Sequence, residues 1–342
     1  MTTTPIDVYM LWSESFRRGW APIERLSILA AELFEGRVVP LEIPKNKVSE
    51  RFKTLLPAPI SAKGRGALFL AKHPGEVLRL MGHETFRQAL AFRILWIIDS
   101  FWTDWLPSHR VLSKFDLVGF TLGSDKSEYQ ERVGGRAVNL AWGSDVLGLG
   151  CVGGERDIDI MRVGRQPAEW REDKHTERVL AQAGISFQGR PQPGGDGQEA
   201  YEGLFKYYRR SKFIVAHSNL AARWHHTHPK KEYITGRWTD ALAAGASVAG
   251  VAPMSDPAAS AFCNTGLLKF STTGLLDNIP IIADAVSRWS KDQADKNYRY
   301  ALMHLDWRWR LNEIADYFNV RAPLLERDLI EIKRIASRNK AV

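Results

Sequence analysis

From Ile6 to Leu140 the chain alternates short, wholly apolar runs with longer segments whose apolar residues recur at helical spacing. The runs at 6–12, 37–43, 67–71, 94–98, 117–120 and 137–140 predict strands, and 22–34, 48–56 and a segment opening at Glu76 predict helices. Strands interleaved with helices point to a doubly wound, largely parallel sheet. Such a sheet is covered on both faces, which is why its strands are apolar throughout. The Gly-rich stretch 143–154 reads as a joint. The alternation then restarts, with strands at 157–163, 185–188, 213–216 and 246–251 and helices at 174–183, 199–209 and 238–244. From Asp277 onward the pattern is helical, over 279–289, 294–305, 308–318 and 324–337. The chain therefore reads as two α/β units with loops at the carboxyl ends of their strands, where ligands of such sheets bind.

Composition narrows the picture. The 342 residues are 44% hydrophobic and 25% charged, which excludes disorder as the dominant state. No apolar run approaches the ~20 residues of a membrane span. Met1 to Pro5 carries no basic segment followed by an apolar stretch, so a secretory leader is not expected, and a cytoplasmic protein is. Two cysteines are too few for a disulfide framework or a Cys-rich zinc site. Net charge is +8, with twelve tryptophans. The basic balance favours polyanionic partners without saying which: nucleic acid, phosphorylated ligands or an anionic membrane surface touched peripherally from the cytoplasmic side. An excess spread evenly would only aid solubility.

The most informative string is residues 230–251, KKEYITGRWTDALAAGASVAGV. Glu232 precedes a second acid, Asp240, by eight positions. A helix starting near Gly236 offers free backbone N–H groups and the positive end of its dipole to an anion. Arg237 adds a bidentate grip on a phosphate. Asp240, one turn in, is placed to accept from ribose hydroxyls. Ala241, Ala243 and Ala244 let the helix sit close to a sheet, and Gly245 ends it. The plain alternative is a capped, close-packed helix with surface charges. Two other signals carry less. His225, His226 and His228 lack the spacing of a zinc site. Gly148, Gly150 and Gly153 match a dinucleotide fingerprint, but they precede a strand instead of following one.

This string resembles the donor-binding motif of GT-B glycosyltransferases. It is most similar to the branch related to the spore-coat protein CgeB, through Thr235, Arg237, Trp238, Asp240, Ala241, Leu242, Ala243 and Gly245. The resemblance extends to DIDIMRVGR at 157–165, SKFIVAHSN at 211–219 and LAWGSD at 140–145. It implies two Rossmann-like domains facing across a cleft. An acceptor domain would span 1–147 and a nucleotide-sugar domain 148–306, with helices over 307–342 packing back on the first. It further implies that Gly164, Arg165, Thr235, Gly236 and Arg237 cradle a diphosphate, with Ser218 and Lys231 beside the donor. Asp240 would bind the ribose and Glu232 would lie near the donor sugar. No metal or other cofactor is implied. In the family the second acid is usually Glu; here it is Asp240, one methylene shorter.

The acceptor, a glycan, lipid or protein, falls to the first domain. Activating its hydroxyl takes a general base. Asp99, at the end of the strand 94–98, and His73, after the strand 67–71, are the candidates, and strand-end capping is the plain alternative for Asp99. Ser13 and Glu14 occupy the first strand-to-helix loop, and Trp102 and Trp105 flank Asp99 as a stacking wall for sugar or lipid. Trp96 reads as core. Two rival readings remain: a GT-B-like binding module without catalysis, and a nucleic-acid binder. No nucleic-acid signature is present, so nucleic acid is not an expected partner.

Overall fold

The computed structural model describes residues 4–12, 19–42, 59–61, 64–195, 197–225, 227–254, 262 and 266–338. The chain divides into two compact units, Met1–Ala141 with Arg308–Leu329, and Trp142–Trp307 with Ile330–Val342. Each is a Rossmann-like α/β unit around one parallel sheet. Among the described residues no helix is long and apolar enough to cross a membrane.

The first sheet holds β1 (Ile6–Trp12), β2 (Val38–Glu42), β3 (Gly66–Ala71), β4 (Arg93–Ile97), β5 (Leu117–Phe120) and β6 (Ala137–Asn139) in the order β2-β1-β3-β4-β5-β6. All its pairings are parallel. Every residue of β3, β4 and β5 is buried, as the unbroken apolar runs require. Helix α1 (Ala21–Leu33) follows β1, α2 (Val77–Gly82) follows β3 and α3 (Lys126–Val133) precedes β6. Asp7, inside β1, accepts from the Arg65 guanidinium at 2.7 Å and from the Arg37 N–H at 2.9 Å. Trp96 is fully buried and donates to the Leu140 carbonyl at 3.1 Å. The helix expected over 48–56 lies outside the described residues.

The second sheet holds β7 (Ile158–Arg162), β8 (Phe187–Gln188), β9 (Ser211–Val215), β10 (Ser247–Gly250) and β11 (Leu267–Lys269) in the order β11-β10-β9-β7-β8, again all parallel. Its helices are α4 (Val146–Leu149), α5 (Asp173–Gln182), α6 (Gly197–Arg210), α7 (Gly236–Ala243), α8 (Leu275–Ser287) and α9 (Lys291–His304). The order of both sheets reverses direction after their first strand. The switch points are β1/β3 in the first unit and β7/β9 in the second.

The chain changes unit at Ala141–Trp142, six residues before the boundary expected at 147/148. Leu140 still extends the first sheet, with its N–H on the Phe120 carbonyl at 2.9 Å. Ser144 already belongs to the second unit: its N–H donates to Leu305 O at 2.9 Å and its carbonyl accepts from Trp307 at 3.1 Å. After α10 (Trp307–Phe318) opens, residues 308–329 rejoin the first unit, and α11 (Pro323–Ser337) follows. There Phe318 stacks on Phe92 at 4.1 Å and Arg308 pairs with Asp328 at 2.8 Å.

Helix α7 ends in a Schellman motif. Ala246 N–H reaches Ala241 O at 2.8 Å, Gly245 N–H reaches Leu242 O at 2.9 Å, and Gly245 takes φ +75°. Its apolar face, Trp238 and Ala241–Ala244, is buried. So is Asp240, at 4% exposure. Its Oδ1 accepts from Ser144 Oγ at 2.7 Å and Tyr201 OH at 3.0 Å, tying α7 to α6 and to the crossover segment. Burial pushes the Asp240 carboxyl up to about 7, against the lowering effect of those two hydroxyls.

A carboxyl raised in the folded state gives its stabilising contribution in full below the unfolded value near 4 and loses it as pH rises through about 7. In Asp240→Asn the amide oxygen keeps both acceptor contacts and the titration is gone. The variant is therefore expected to match wild type near pH 4 and to exceed it near pH 8, by on the order of a few kcal/mol. Urea midpoints across that range check this. A wild-type-minus-variant difference that stays flat with pH rules it out.

Candidate functional site

In the second unit the carboxyl ends of β7 and β9 lie side by side at the switch point. Beyond β7 the chain turns at Gly164, whose φ of +64° lies in the left-handed region that glycine adopts without strain. A Cβ at Gly164 would touch Arg237 Cδ at 3.6 Å. Arg162 steadies the turn, donating to Gly164 O at 3.0 Å while its guanidinium grips Asp173. Gln166 crosslinks the two strand ends, donating to Val163 O at 3.0 Å and Val215 O at 2.7 Å.

Beyond β9 come His217 and Ser218. Ser218 N–H donates to Val251 O at 2.7 Å, and its hydroxyl donates to the Glu232 carboxylate. His217 Nδ1 accepts from the Val251 N–H at 3.2 Å, which leaves Nε2 buried without a partner. Burial, and secondarily the charge of Arg237, push this imidazole down to about 4, so it is neutral at physiological pH. The loop that follows is stapled by Asn219, which donates to His228 O at 3.1 Å and Lys231 O at 2.9 Å. His228 Nδ1 accepts the N–H groups of Lys230 and Lys231. His226 lies outside the described residues. Among the described residues no group of three His, Cys, Asp or Glu side chains is placed to hold a metal ion.

Thr235 is the N-cap of α7, in extended conformation, and its side chain makes no capping bond. Its Oγ1 is buried and unpartnered, beside the Gly236 and Arg237 amides, while the Trp238 N–H donates to the Thr235 carbonyl at 2.9 Å. Arg237 donates to the Arg165 carbonyl at 2.8 Å, joining the start of α7 to the turn after β7. Arg165 and Arg171 both lie against the Trp224 ring, at 5.9 Å and 4.6 Å from its centroid. Among the described residues none of Arg165, Arg171 and Arg237 forms an ion pair with a carboxylate. The result is a cradle of fixed cations, helix amides and unpaired donors.

The structure thus brings Gly164, Arg165, Ser218, Glu232, Thr235, Gly236 and Arg237 to the ends of two adjacent strands, with the Lys231 backbone in the loop above. The Asp240 carboxyl, expected at a ribose, is buried: its Oδ1 accepts from Ser144 and Tyr201, and its Oδ2 lies 3.5 Å from where a Cβ on Gly236 would stand. His217 and Gln166 escaped the sequence reading. The available signal was position alone, a polar residue directly after an apolar strand.

In the first unit, Asp99 and His73 follow β4 and β3. Asp99 N–H donates to Lys72 O at 2.7 Å, continuing the parallel ladder. Lys72 N–H donates to Glu76 at 2.9 Å. Burial, with the Glu76 charge, pushes the Asp99 carboxyl up to about 7. Burial pushes His73 down, and its Nδ1 is enclosed without a partner. The loop after Asp99 is fixed from below. Ser100 Oγ donates to Asp125 at 2.9 Å and accepts from Leu122 N–H at 2.9 Å, and Tyr129 OH donates to Ser100 O at 3.2 Å. Trp102 stacks on Trp105 in that loop. Ser13 and Glu14 lie outside the described residues.

No protein-family model matches the chain, and no curated protein matches it in sequence. Solved structures similar to it include glycosyltransferases. One is CalG4, the calicheamicin glycosyltransferase, at 11% identity and TM-score 0.41, covering 94% of this chain and 100% of that one. Another is AviGT4, a glycosyltransferase of avilamycin A biosynthesis, at 11% identity and TM-score 0.44, covering 98% and 99%. A third is Staphylococcus aureus TarM solved with fondaparinux, alpha-GlcNAc-glycerol and UDP, at 8% identity and TM-score 0.43, covering 74% of this chain. The chain spans 55% of the length of that TarM chain.

Proposed function

We propose that the chain is a glycosyltransferase that takes a nucleotide sugar at the carboxyl ends of β7 and β9. The observation that carries this reading is the cradle at the start of α7. There stand Arg237, the Gly236 and Arg237 amides, and the unpartnered Thr235 Oγ1, with the unpartnered His217 Nε2 at the end of the adjacent strand and no carboxylate paired to Arg165 or Arg237. Such a site suits a dense anion with several acceptor oxygens, as a diphosphate is. Glu232, which accepts from Ser218 at the end of β9, is the acid proposed to lie near the donor sugar.

In the reaction the bond between the anomeric carbon and the diphosphate oxygen breaks, and the nucleoside diphosphate leaves with the electron pair. Arg165, Arg237 and the α7 N-terminus stabilise that developing charge in place, without a metal ion. The acceptor oxygen forms the new bond to the anomeric carbon, and its proton passes to a base. Asp99 fills that role: a carboxyl raised to about 7 is basic enough to take a proton and is still ionised above neutrality.

Calorimetric titration with UDP, GDP and ADP tests the donor site. At least one is expected to bind wild type, and Arg237→Ala is expected to weaken it by about 10–100-fold, the loss of a charge-assisted phosphate contact. If none of the three binds, the reading fails. For the base, turnover is expected to rise as pH climbs through about 7, because only the carboxylate accepts the proton. Asp99→Asn is expected to abolish that rise and most of the turnover while leaving nucleotide affinity unchanged. A pH profile in Asp99→Asn identical to wild type removes Asp99 from the mechanism.

A further inference from the structure

Four residues past Asp99, a single 3-10 turn, Thr103–Trp105, presents an aromatic surface. Trp102 and Trp105 stack with centroids 4.5 Å apart and ring planes 5° from parallel. The His73 ring meets Trp105 edge-on at 5.5 Å and 74°. Gly75 makes room for this approach: a Cβ there would stand 3.1 Å from the His73 ring and 3.8 Å from Trp105. Trp105 is nonetheless 49% exposed. Trp105 thus combines a ring held against two others with half of its surface open to water, which is what a ligand that stacks on an indole requires.

The chemistry of that surface selects the ligand. An indole is a flat, electron-rich plane, which suits the weakly positive C–H face of a pyranose ring. Two polar residues, Thr103 and the exposed Asp104, share the turn with Trp105. An acyl chain asks for a continuous aliphatic trough, and the turn offers these polar side chains in its place. His73, its ring nitrogen enclosed and its charge suppressed by burial, serves as a wall that fixes the Trp105 plane.

We infer that Trp105, backed by Trp102 and oriented by His73, is a binding platform for a pyranose ring, and that the acceptor this unit takes is a carbohydrate. The inference rests on the glycosyl-transfer reading and adds its acceptor class. To test it, wild type is titrated with methyl β-D-glucopyranoside, methyl β-D-galactopyranoside and methyl α-D-mannopyranoside, and separately with 1-octanol, by calorimetry and tryptophan fluorescence. Saturable binding of at least one glycoside is expected. Trp105→Ala is expected to weaken it by about tenfold or more, and Trp105→Phe to keep most of it. UDP, GDP and ADP affinities stay unchanged in both variants. The inference is overturned if no glycoside binds, if glycosides bind Trp105→Ala as tightly as wild type, or if octanol alone binds through Trp105. Nucleotide binding without glycoside binding removes the platform and leaves the transferase reading standing. Glycoside binding that depends on Trp105, without nucleotide binding, does the reverse.

Discussion

The hydrogen bond from Arg237 to the Arg165 carbonyl fixes the second unit's site. It joins two things that the topology only brings near: the turn after β7 and the first turn of α7. Gly164 accepts the Arg237 side chain against its bare α-carbon, and Arg162, locked to Asp173, holds the Gly164 carbonyl from the other side. Without this tie the α7 amides would face solvent at the end of a long loop. With it they share one surface with His217 and Ser218. The far end of α7 is anchored as firmly, by the Schellman bonds and by Arg156, which donates to Ala244 O at 2.5 Å. The helix can therefore hold unpaired donors at its start because its position is determined elsewhere.

Burial sorts the charges of both units in the same way. Asp99 and Asp240 are pushed up to about 7, and His73 and His217 are pushed down. Each of these groups is nearer neutral than it would be in water, and at His217 the charge of Arg237 adds to that effect. The consequences differ with the partners. Asp240 has two hydroxyl donors and acts as a fixed internal crosslink. Asp99 is raised by burial and by a like charge, Glu76, and it is the group proposed above as the base. The same physical cause acts on a hydrogen-bonded crosslink in one unit and on a carboxyl beside a like charge in the other.

Much of the fold was legible because strands covered on both faces cannot alternate. The unbroken runs at 67–71, 94–98 and 117–120 are β3, β4 and β5 to within a residue, and the small-residue string 241–245 is the buried end of α7. What stayed hidden is what tertiary pairing decides. Strand β11 is three residues long, and only its neighbour β10 makes it a strand. The crossover at Ala141–Trp142 is set by the Ser144 N–H donating to the Leu305 carbonyl and the Trp307 N–H donating to the Ser144 carbonyl, pairings across more than 160 residues that no local pattern announces. Asp240 was legible as an acid one turn into the helix, but not as one facing inward. Its direction depends on Tyr201 and Ser144, which come from a different helix and a different loop.

The net charge of +8 gains a meaning from its pairing. Arg65, Arg162, Arg210, Lys212 and Arg308 each lie against an aspartate, so they add nothing locally to the excess. Arg165, Arg171 and Arg237 do not, and two of them rest on the face of Trp224 instead. A ring face holds a guanidinium without neutralising it. Trp224 thus lets the loop between β9 and α7 fix cations in place while leaving their charge for a ligand. A carboxylate in the same position would hold them as firmly and cancel the field that a diphosphate needs. Unpaired cations packed on an aromatic ring are poor stabilisers of a fold and good acceptors of an anion, and they stand where the β7/β9 switch point opens.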